Sequence, residues 1–230
     1  PALAAEDRPD LVVADFEGSD YGAWTTTGEA FGSGPAHGTL PGQMAVSGYL
    51  GKGLVNSYHG GDGTTGTLMS PPFQIERKYL NFLIGGGKYP GETCLDLLVE
   101  GQVVRTTTGP NDRPGGSEAL DWSSWDVSDL AGKTAVLRIV DARTGGWGHI
   151  NVDQIVQADR KIATEPVVRE IVVAKRYLHL PVKNGAAKRR VTITVEGRTV
   201  RDFDIELAGD APDFWVFADL APFAGKTLRI

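Results

Sequence analysis

The stretch CLDLLVEGQVVRTT, residues 94–107, is typical of two β-strands joined by a tight turn. Its first half is mostly aliphatic, Glu100-Gly101 suits a two-residue turn, and its second half is rich in Val and Thr. Segments of this kind recur along the chain between Gly, Pro, Asn and Asp residues, whereas no long amphipathic helical pattern is present. The sequence therefore predicts an all-β protein.

The strand-like segments up to residue 158 predict a β-sandwich with jelly-roll-like connections. They are Leu11–Phe16, Gly53–Tyr58, Thr67–Leu68, Tyr79–Ile84, Cys94–Glu100, Gln102–Thr107, Ser123–Val127, Thr134–Val140 and His149–Gln157. Residues 159–166 are polar and end in proline, which is typical of a linker. Further segments predict a second, smaller β unit: Val167–Val173, Arg176–Pro181, Arg190–Val195, Thr199–Leu207, Phe214–Ala218 and Thr227–Ile230. The predicted domains are thus a flexible, exported N-terminus (1–10), a sandwich (11–158), a linker (159–166) and a second unit (167–230).

The two predicted β units echo each other in sequence. Val99-Glu100-Gly101, then Trp125, then residues 129–134 match Val195-Glu196-Gly197, then Trp215, then residues 219–227. In both copies a Glu-Gly hairpin turn precedes a Trp, and Gly-Lys-Thr begins another strand. The first copy continues into one more strand, whereas the second stops at its Gly-Lys-Thr strand. We therefore expect the sequence to be a fragment of a longer polypeptide.

Composition and charge narrow the functional classes. The chain of 230 residues has a net charge of −6 and contains no basic groove interleaved with aromatic residues, which argues against nucleic acid as a partner. A single cysteine, Cys94, excludes an internal disulfide, and its apolar surroundings predict a buried side chain. No apolar run is long enough to span a membrane. The small residues at the start resemble a signal-peptidase site, which predicts a secreted or periplasmic protein.

The sequence contains no recognisable catalytic constellation. No Ser lies in a Gly-x-Ser-x-Gly turn, no Cys–His arrangement is present, and the four histidines have no metal-ligand spacing. Acidic residues are plentiful, but no pair of carboxylates stands out as the acid and base of a glycoside hydrolase. We therefore predict no catalytic residue in this chain.

Three glycine-flanked loops carry the residue types that bind sugars. An aromatic ring can stack on the C–H face of a sugar, and planar polar groups can pair with adjacent hydroxyls. The alternative interpretation is a set of well-formed turns with Trp147 tucked into the core. The candidate ligand-binding residues are Tyr58, His59, Asp62, Asn111, Asp112, Arg113, Arg143, Trp147 and His149.

Carboxylates at the two ends of the predicted sandwich are candidates for a metal site. The first and last strands of a jelly roll often run side by side, which would bring Asp15 and Glu17 close to Asp153. Oxygen ligands of this kind favour Ca²⁺. The alternative interpretation is that these are ordinary acidic residues at turns and strand edges.

Much of the chain beyond residue 10 resembles the N-terminal region of bacterial levanase-type enzymes, which are family 32 glycoside hydrolases acting on β-fructosides. The resemblance is carried by Asp15-Phe16-Glu17-Gly18, Ser70-Pro71-Pro72-Phe73, residues 81–87, residues 109–116, residues 145–153 and residues 175–185. It implies an exported accessory region that precedes a five-bladed β-propeller catalytic domain. The family's catalytic signatures are absent, since Asn111-Asp112-Arg113-Pro114 matches the first of them only superficially. The resemblance thus implies that the hydrolytic residues follow Ile230.

Three functions remain open at this point. The first is a carbohydrate-binding module that concentrates polymer, expected to be fructan, near the catalytic domain of the same chain. The second is a structural spacer that packs on that domain and orients it, and the third is catalysis within the fragment itself. An exposed Trp147 beside polar groups would favour sugar binding. A buried Trp147 and an apolar patch on the second unit would favour the spacer.

Overall fold

The computed structural model describes residues 8–114, 116–162, 168–184, 188–208 and 211–230, and these residues form almost only strands and turns. The predicted all-β fold is confirmed. The chain divides into two compact units, residues 1–164 and 165–230. Residues 1–7 of the predicted N-terminus and 163–166 of the predicted linker lie outside the described residues.

The first unit is a sandwich of two antiparallel sheets. The strands are β1 (Leu11–Ala14), β2 (Thr25–Gly28), β3 (Val55–Asn56), β4 (Gly66–Met69), β5 (Phe73–Gln74), β6 (Tyr79–Gly86), β7 (Thr93–Val99), β8 (Gln102–Thr107), β9 (Asp121–Asp126), β10 (Thr134–Asp141) and β11 (Ile150–Ala158). One sheet has the order β1-β11-β6-β9 with β3 also on β11, and the other has the order β2-β4-β10-β7-β8 with β5 also on β10. A 3₁₀ turn, Ser128–Leu130, precedes β10.

The core of the first unit lies between its two sheets. Phe82 and Ile155 of one sheet pack with Leu95, Leu137 and Ile139 of the other, and all five side chains are almost completely buried. Burial of each such side chain stabilises the fold by roughly 1.5–3 kcal/mol. The first and last strands of the sandwich pair with each other, as expected for a jelly roll, since β1 lies antiparallel to β11.

Two strands of the first unit were not predicted. Strand β2 reads Thr-Thr-Thr-Gly and is exposed along its whole length, so it carries no alternation of apolar and polar residues. Its pairing with β4 is supported by a hydrogen bond between the hydroxyls of Thr27 and Thr67 at 2.7 Å. Strand β5 has only two residues. Both strands owe their conformation to the sheet beside them rather than to local sequence.

The second unit contains a four-stranded sheet and a two-stranded sheet. The strands are β12 (Glu170–Val172), β13 (Tyr177–Val182), β14 (Lys188–Val195), β15 (Arg198–Glu206), β16 (Phe214–Asp219) and β17 (Thr227–Arg229). The four-stranded sheet has the order β12-β17-β14-β15, and the two-stranded sheet pairs β13 with β16. A 3₁₀ turn, Ala221–Phe223, precedes β17.

Strands β12 to β17 of the second unit repeat, in the same order, strands β5 to β10 of the first unit. The hairpin turns at Glu100-Gly101 and Glu196-Gly197 have the same left-handed backbone, with φ angles of 52° and 77° in the first and 50° and 77° in the second. Each last strand pairs with its hairpin, β10 with β7 and β17 with β14, and each is flanked on its other edge by a short strand. The similarity in sequence between the two units is therefore matched by a similarity in structure.

The hydrogen bonds of the repeat correct one detail of the predicted correspondence. The N–H of Val127 donates to the carbonyl of Lys78, and the N–H of Leu220 donates to the carbonyl of Arg176. Asp126 in the first copy is therefore equivalent to Asp219 in the second, because they pair with Tyr79 and Tyr177 respectively. With this alignment the counterpart of Trp215 is Trp122 and not the predicted Trp125. Trp122 and Trp125 lie on the same strand, β9, so the sequence alone allows either of them to be matched with Trp215.

Candidate functional site

The three predicted loops meet at one end of the first unit. The N–H of Gly145 donates to the carbonyl of Asp62 at 2.8 Å, which joins the first loop to the third. The indole Nε1 of Trp147 donates to the carbonyl of Arg113 at 2.9 Å, which joins the third loop to the second. Residues that are far apart in sequence thus form one continuous surface.

His149 lies at the centre of this end, immediately before β11. Its Nδ1 is 2.6 Å from an oxygen of Asp62, and its Nε2 is 3.0 Å from both oxygens of Glu118. Burial alone would lower the pKa of His149, but the Glu118 and Asp62 carboxylates outweigh it and raise the pKa. Both ring nitrogens thus face carboxylates, an arrangement that favours the imidazolium form.

Amide side chains complete the network around Glu118. The Nδ2 of Asn151 donates to Glu118 at 2.9 Å, and the Nε2 of Gln43 donates to it at 3.4 Å. Asn56 in turn donates to the Oε1 of Gln43 at 2.8 Å. Nothing local distinguishes Glu118, Asn151, Asn56 and Gln43 from other polar residues of the chain, so the sequence alone does not predict their role in this network.

Two aromatic rings enclose His149. Trp147 stacks on it at 5.6 Å between centroids and 29° between planes, and Tyr58 meets it edge-on at 5.0 Å. Trp147 has a φ of 60°, a left-handed conformation that is strained for a bulky residue and is found disproportionately at functional sites. Its side chain is half-buried, so part of the ring faces solvent.

A polar cavity of about 300 Å³ lies in the second loop. The ammonium of Lys88 is 3.9 Å from the carboxylate of Asp112, and Asp112 and Arg113 are both exposed. The cavity thus offers charged hydrogen-bonding groups of both signs close to the Trp147 ring. Its lining residues are Lys88, Pro110, Asn111, Asp112, Arg113, Pro114 and Gly116.

Gly116 allows the tryptophan to approach the second loop. A Cβ at this position would lie 2.6 Å from the Trp147 ring and 2.1 Å from the Asn111 Oδ1. We expect Gly116→Ala to displace both side chains. Tryptophan emission of the variant would check this, with Gly63→Ala as the control, because a Cβ at Gly63 meets no atom within 4 Å.

The remaining predicted residues have mainly supporting positions. Asn111 is buried, and its Nδ2 donates to the carbonyls of Gly86 and Ser117, so it shapes the second loop. The guanidinium of Arg143 covers the Tyr89 ring at 3.5 Å and pairs with Glu92 at 3.2 Å.

His59 packs elsewhere, against Gly32. A Cβ on this glycine would lie 2.7 Å from the imidazole, and burial lowers the pKa of His59. These positions leave Asp112, Arg113, Tyr58 and Trp147 as the predicted residues with side chains most available to a ligand.

A further carboxyl group, Asp141, is buried near His149 at the end of β10. Its side chain is inaccessible to solvent, and neither carboxyl oxygen makes a hydrogen bond of good geometry with the described residues, although the Ser57 hydroxyl and the Arg143 N–H lie near enough to act on its pKa. Burial raises its pKa to about 7, although Ser57 and His149 oppose this shift. Asp141 is therefore a proton-binding group that the sequence analysis did not identify.

The predicted metal-ligand residues lie beside the paired strands β1 and β11: Asp15 and Glu17 follow β1, and Asp153 lies on β11. Glu17 accepts hydrogen bonds from the N–H groups of Lys52 and Gly53, and Asp153 accepts one from Leu50 at 2.8 Å, so both carboxylates hold the same loop. Burial raises the pKa of Asp153 to about 7, with further contributions from Glu17 and Asp15. Among the described residues, no three acidic, His or Cys side chains are grouped closely enough to hold a metal ion. The calcium site stays a prediction.

Comparison with known proteins gives one related sequence of partial length. No protein-family model matches the chain. A protein of Aspergillus rugulosus named "Putative glycosyl hydrolase ecdE" is 49% identical over 148 residues, which cover 63% of this chain. The matched part is only 20% of the fungal protein, so the chain is related to about a fifth of it.

Solved structures similar to the chain are β-sandwich domains at low identity. The K1 cleaved adhesin domain of Lys-gingipain from Porphyromonas gingivalis has 17% identity and a TM-score of 0.41, and covers 66% of this chain and 99% of its own. A family 35 carbohydrate-binding module from Clostridium thermocellum has 14% identity and a TM-score of 0.34, with coverages of 65% and 97%. A corresponding module from Paenibacillus barcinonensis has 23% identity and a TM-score of 0.31, with coverages of 58% and 98%. Likenesses at this level support no functional conclusion.

Across the described ranges, the chain contains no helix with the length and apolarity that a membrane crossing requires.

Proposed function

We propose that the first unit binds carbohydrate through the loop surface around Trp147, as a non-catalytic part of an exported fructan hydrolase. The observation that supports this most directly is the convergence of three separate loops on one half-buried tryptophan beside a polar cavity. The named glycosyl hydrolase among related proteins is consistent with a role in carbohydrate metabolism. The fructan substrate and the linked catalytic domain rest on the resemblance to levanase-type enzymes.

The chemistry of the surface suits a sugar better than a charged or apolar ligand. The free part of the Trp147 ring can stack on the C–H face of a sugar, while Asp112 and Arg113 can pair with vicinal hydroxyls. The ring is fixed by its stacking on His149 and by its hydrogen bond to the Arg113 carbonyl. A ring that is already positioned loses little entropy when a ligand binds.

Replacement of Trp147 tests this proposal. We expect calorimetric titration of the chain with levan, inulin or fructose to show binding, and Trp147→Ala to weaken it by about 10-fold or more, since covering roughly 80 Å² of aromatic surface at about 25 cal/mol per Å² is worth about 2 kcal/mol. Trp215→Ala on the second unit is the matched control and should bind as the unchanged chain does. A folded protein that binds none of these sugars would contradict the proposal and would leave the structural spacer.

Calcium binding at Asp153 is proposed as a structural support of the same unit. The buried Oδ1 of Asp153 has no hydrogen-bond partner among the described residues, and Glu17 and Asp15 lie close enough to act on its charge. A cation would relieve this repulsion.

The two proton-binding states of Asp153 provide a test for the ion. We expect Ca²⁺ to raise the melting temperature more at pH 8 than at pH 5.5, because the ionised carboxylate is the metal ligand. Asp153→Asn should abolish this difference, whereas Asp10→Asn at an exposed position should retain it. Equal melting temperatures with Ca²⁺ and with a chelator at pH 8 would exclude the site.

A further inference from the structure

The outer face of the two-stranded sheet β13–β16 exposes large aromatic side chains. Leu178 packs on the core of the second unit, so the alternating residues Tyr177, His179 and Pro181 face away from it. On the neighbouring strand, Trp215 is 58% exposed and Phe217 is 67% exposed. These five residues, Tyr177, His179, Pro181, Trp215 and Phe217, are referred to as the aromatic face.

The internal repeat shows how the equivalent face is treated in the first unit. Pro181 pairs with Trp215 in the same register in which Leu83 pairs with Trp122. There, residues 36–54 supply Ala36, Leu40, Val46, Tyr49 and Leu54, which pack with Leu83 and Trp122 in one apolar cluster. Leu83 is consequently only 3% exposed. The same surface is thus covered in one copy of the repeat and open in the other.

The rest of that face is also covered in the first unit. Asn81, the counterpart of His179, donates to the carbonyl of Arg160 and accepts from the N–H of Ile162. Within the described part of the second unit, no segment packs in the corresponding place, and Phe217 remains the most exposed large hydrophobic residue of the chain. An apolar sheet face of this kind is a recognised site of protein association.

The geometry of the rings fits a protein partner better than a sugar. Tyr177 and Phe217 meet edge to face at 71° between planes, so they do not form a flat platform for a sugar ring. Arg176 and Asp219 at the rim are paired with each other at 2.8 Å, and Asp219 also accepts from the N–H of Ala221. The charged groups at the rim are therefore paired with each other, although His179, Tyr177 and Trp215 still bring polar atoms to the face.

We propose that the aromatic face binds the same face of a second copy of the chain, forming a symmetric dimer. A second copy supplies an equal apolar surface, and the Arg176–Asp219 pair leaves the rim electrically neutral although the chain carries a net charge of −6. Two sheet faces can pack on each other about 10 Å apart, and a two-fold axis makes one patch complementary to itself.

The exposed area predicts the strength of the dimer. Aromatic side chains bury about 150–250 Å² each, so the exposed parts of Trp215, Phe217 and Tyr177 amount to roughly 400 Å². This is about half of the roughly 800 Å² per partner in a stable interface. An interface of this size belongs to the weak, transient class, so we expect association only at high protein concentration.

Sedimentation equilibrium of the whole chain tests the proposal. We expect the mass to rise from one chain towards two between about 5 μM and 1 mM. The Trp215→Ser/Phe217→Ser variant should remain a monomer throughout, whereas Trp147→Ala on the first unit should associate like the unchanged chain. An unchanged chain that is monomeric at every concentration would overturn the proposal, as would a double variant that still dimerises.

A second variant protects the test against unfolding. His179→Glu places an exposed charge on the aromatic face, so two copies would repel each other without any loss of core packing. It should reduce association at least 10-fold while circular dichroism and the melting temperature stay unchanged. Normal dimerisation of this variant would contradict the assigned face.

Sugar binding by the aromatic face is the alternative outcome. It would be identified if the unchanged chain is a monomer and if the Trp215→Ser/Phe217→Ser variant loses levan binding. Because sugar binding is read out at Trp147, failure of the dimer and failure of the proposed function are distinguishable.

Discussion

Replacing Glu118 by alanine is expected to lower the free energy of unfolding of the first unit by about 3–5 kcal/mol. Glu118 is 3% exposed and faces the His149 imidazolium, and Asn151 donates to the same carboxylate. Its removal leaves a buried positive charge with only Asp62 as a partner, and a buried amide without its acceptor. A loss of this size is a large part of the total stability of a domain.

The measurement is urea unfolding followed by tryptophan emission. Four of the five tryptophans, Trp24, Trp122, Trp125 and Trp147, lie in the first unit, so the emission reports mainly on that unit. Glu118→Gln keeps the shape and one acceptor and should cost about 1–2 kcal/mol. Asp129→Asn, which breaks an exposed ion pair with Arg105, is the control and should cost less than about 1 kcal/mol. An equal effect of Glu118→Ala and Asp129→Asn would show that the network is not a stabilising element.

The stability of the first unit is expected to fall as the pH rises from 5 to 8. Burial holds the pKa of Asp141 at about 7 in the folded chain, against an ordinary value of 3.8. Between these values the folded state binds a proton that the unfolded state has released, so unfolding becomes easier as the pH rises. Asp153 acts in the same direction, as does His149, whose raised pKa favours the charged ring in the folded state.

Asp141 alone should contribute about 2 kcal/mol between pH 5 and pH 7, because one pKa unit corresponds to about 1.4 kcal/mol. We expect Asp141→Asn to flatten the pH profile by this amount, measured by urea unfolding in the presence of a chelator so that no metal contributes. Asp10→Asn at an exposed position should leave the profile unchanged. A profile of Asp141→Asn that is parallel to that of the unchanged chain would show that Asp141 is ionised when folded.

The candidate site was predicted in part because its residues carry local signals. Glycine-flanked loops with aromatic and planar polar residues could be read from the sequence, and the structure brings these loops together around Trp147 and His149. The roles of the residues could not be read in the same way. Asn111 and Trp147 belong to loops of similar composition, yet one is buried as a loop support and the other keeps part of its ring free. Burial depends on neighbours that are distant in sequence.

The fold class, most of the strands and the internal repeat could be predicted from local sequence patterns. Those features depend on alternation, turn residues and strand length, which act within a few residues. Which acidic residues matter depends on long-range packing. Glu118 and Asp141 look ordinary in sequence, and the fold buries both of them where their charges act on His149.

The different exposure of Trp122 and Trp215, the two equivalent tryptophans of the repeat, also depends on the tertiary structure. Trp122 and Trp215 occupy the same place in the same hairpin-linked strands, and nothing in their local sequence separates a covered ring from an exposed one. The difference arises because residues 36–54 fold back over the first copy and nothing described covers the second. Local sequence sets which face of a strand is apolar, but the cover for that face comes from elsewhere in the chain or from another molecule.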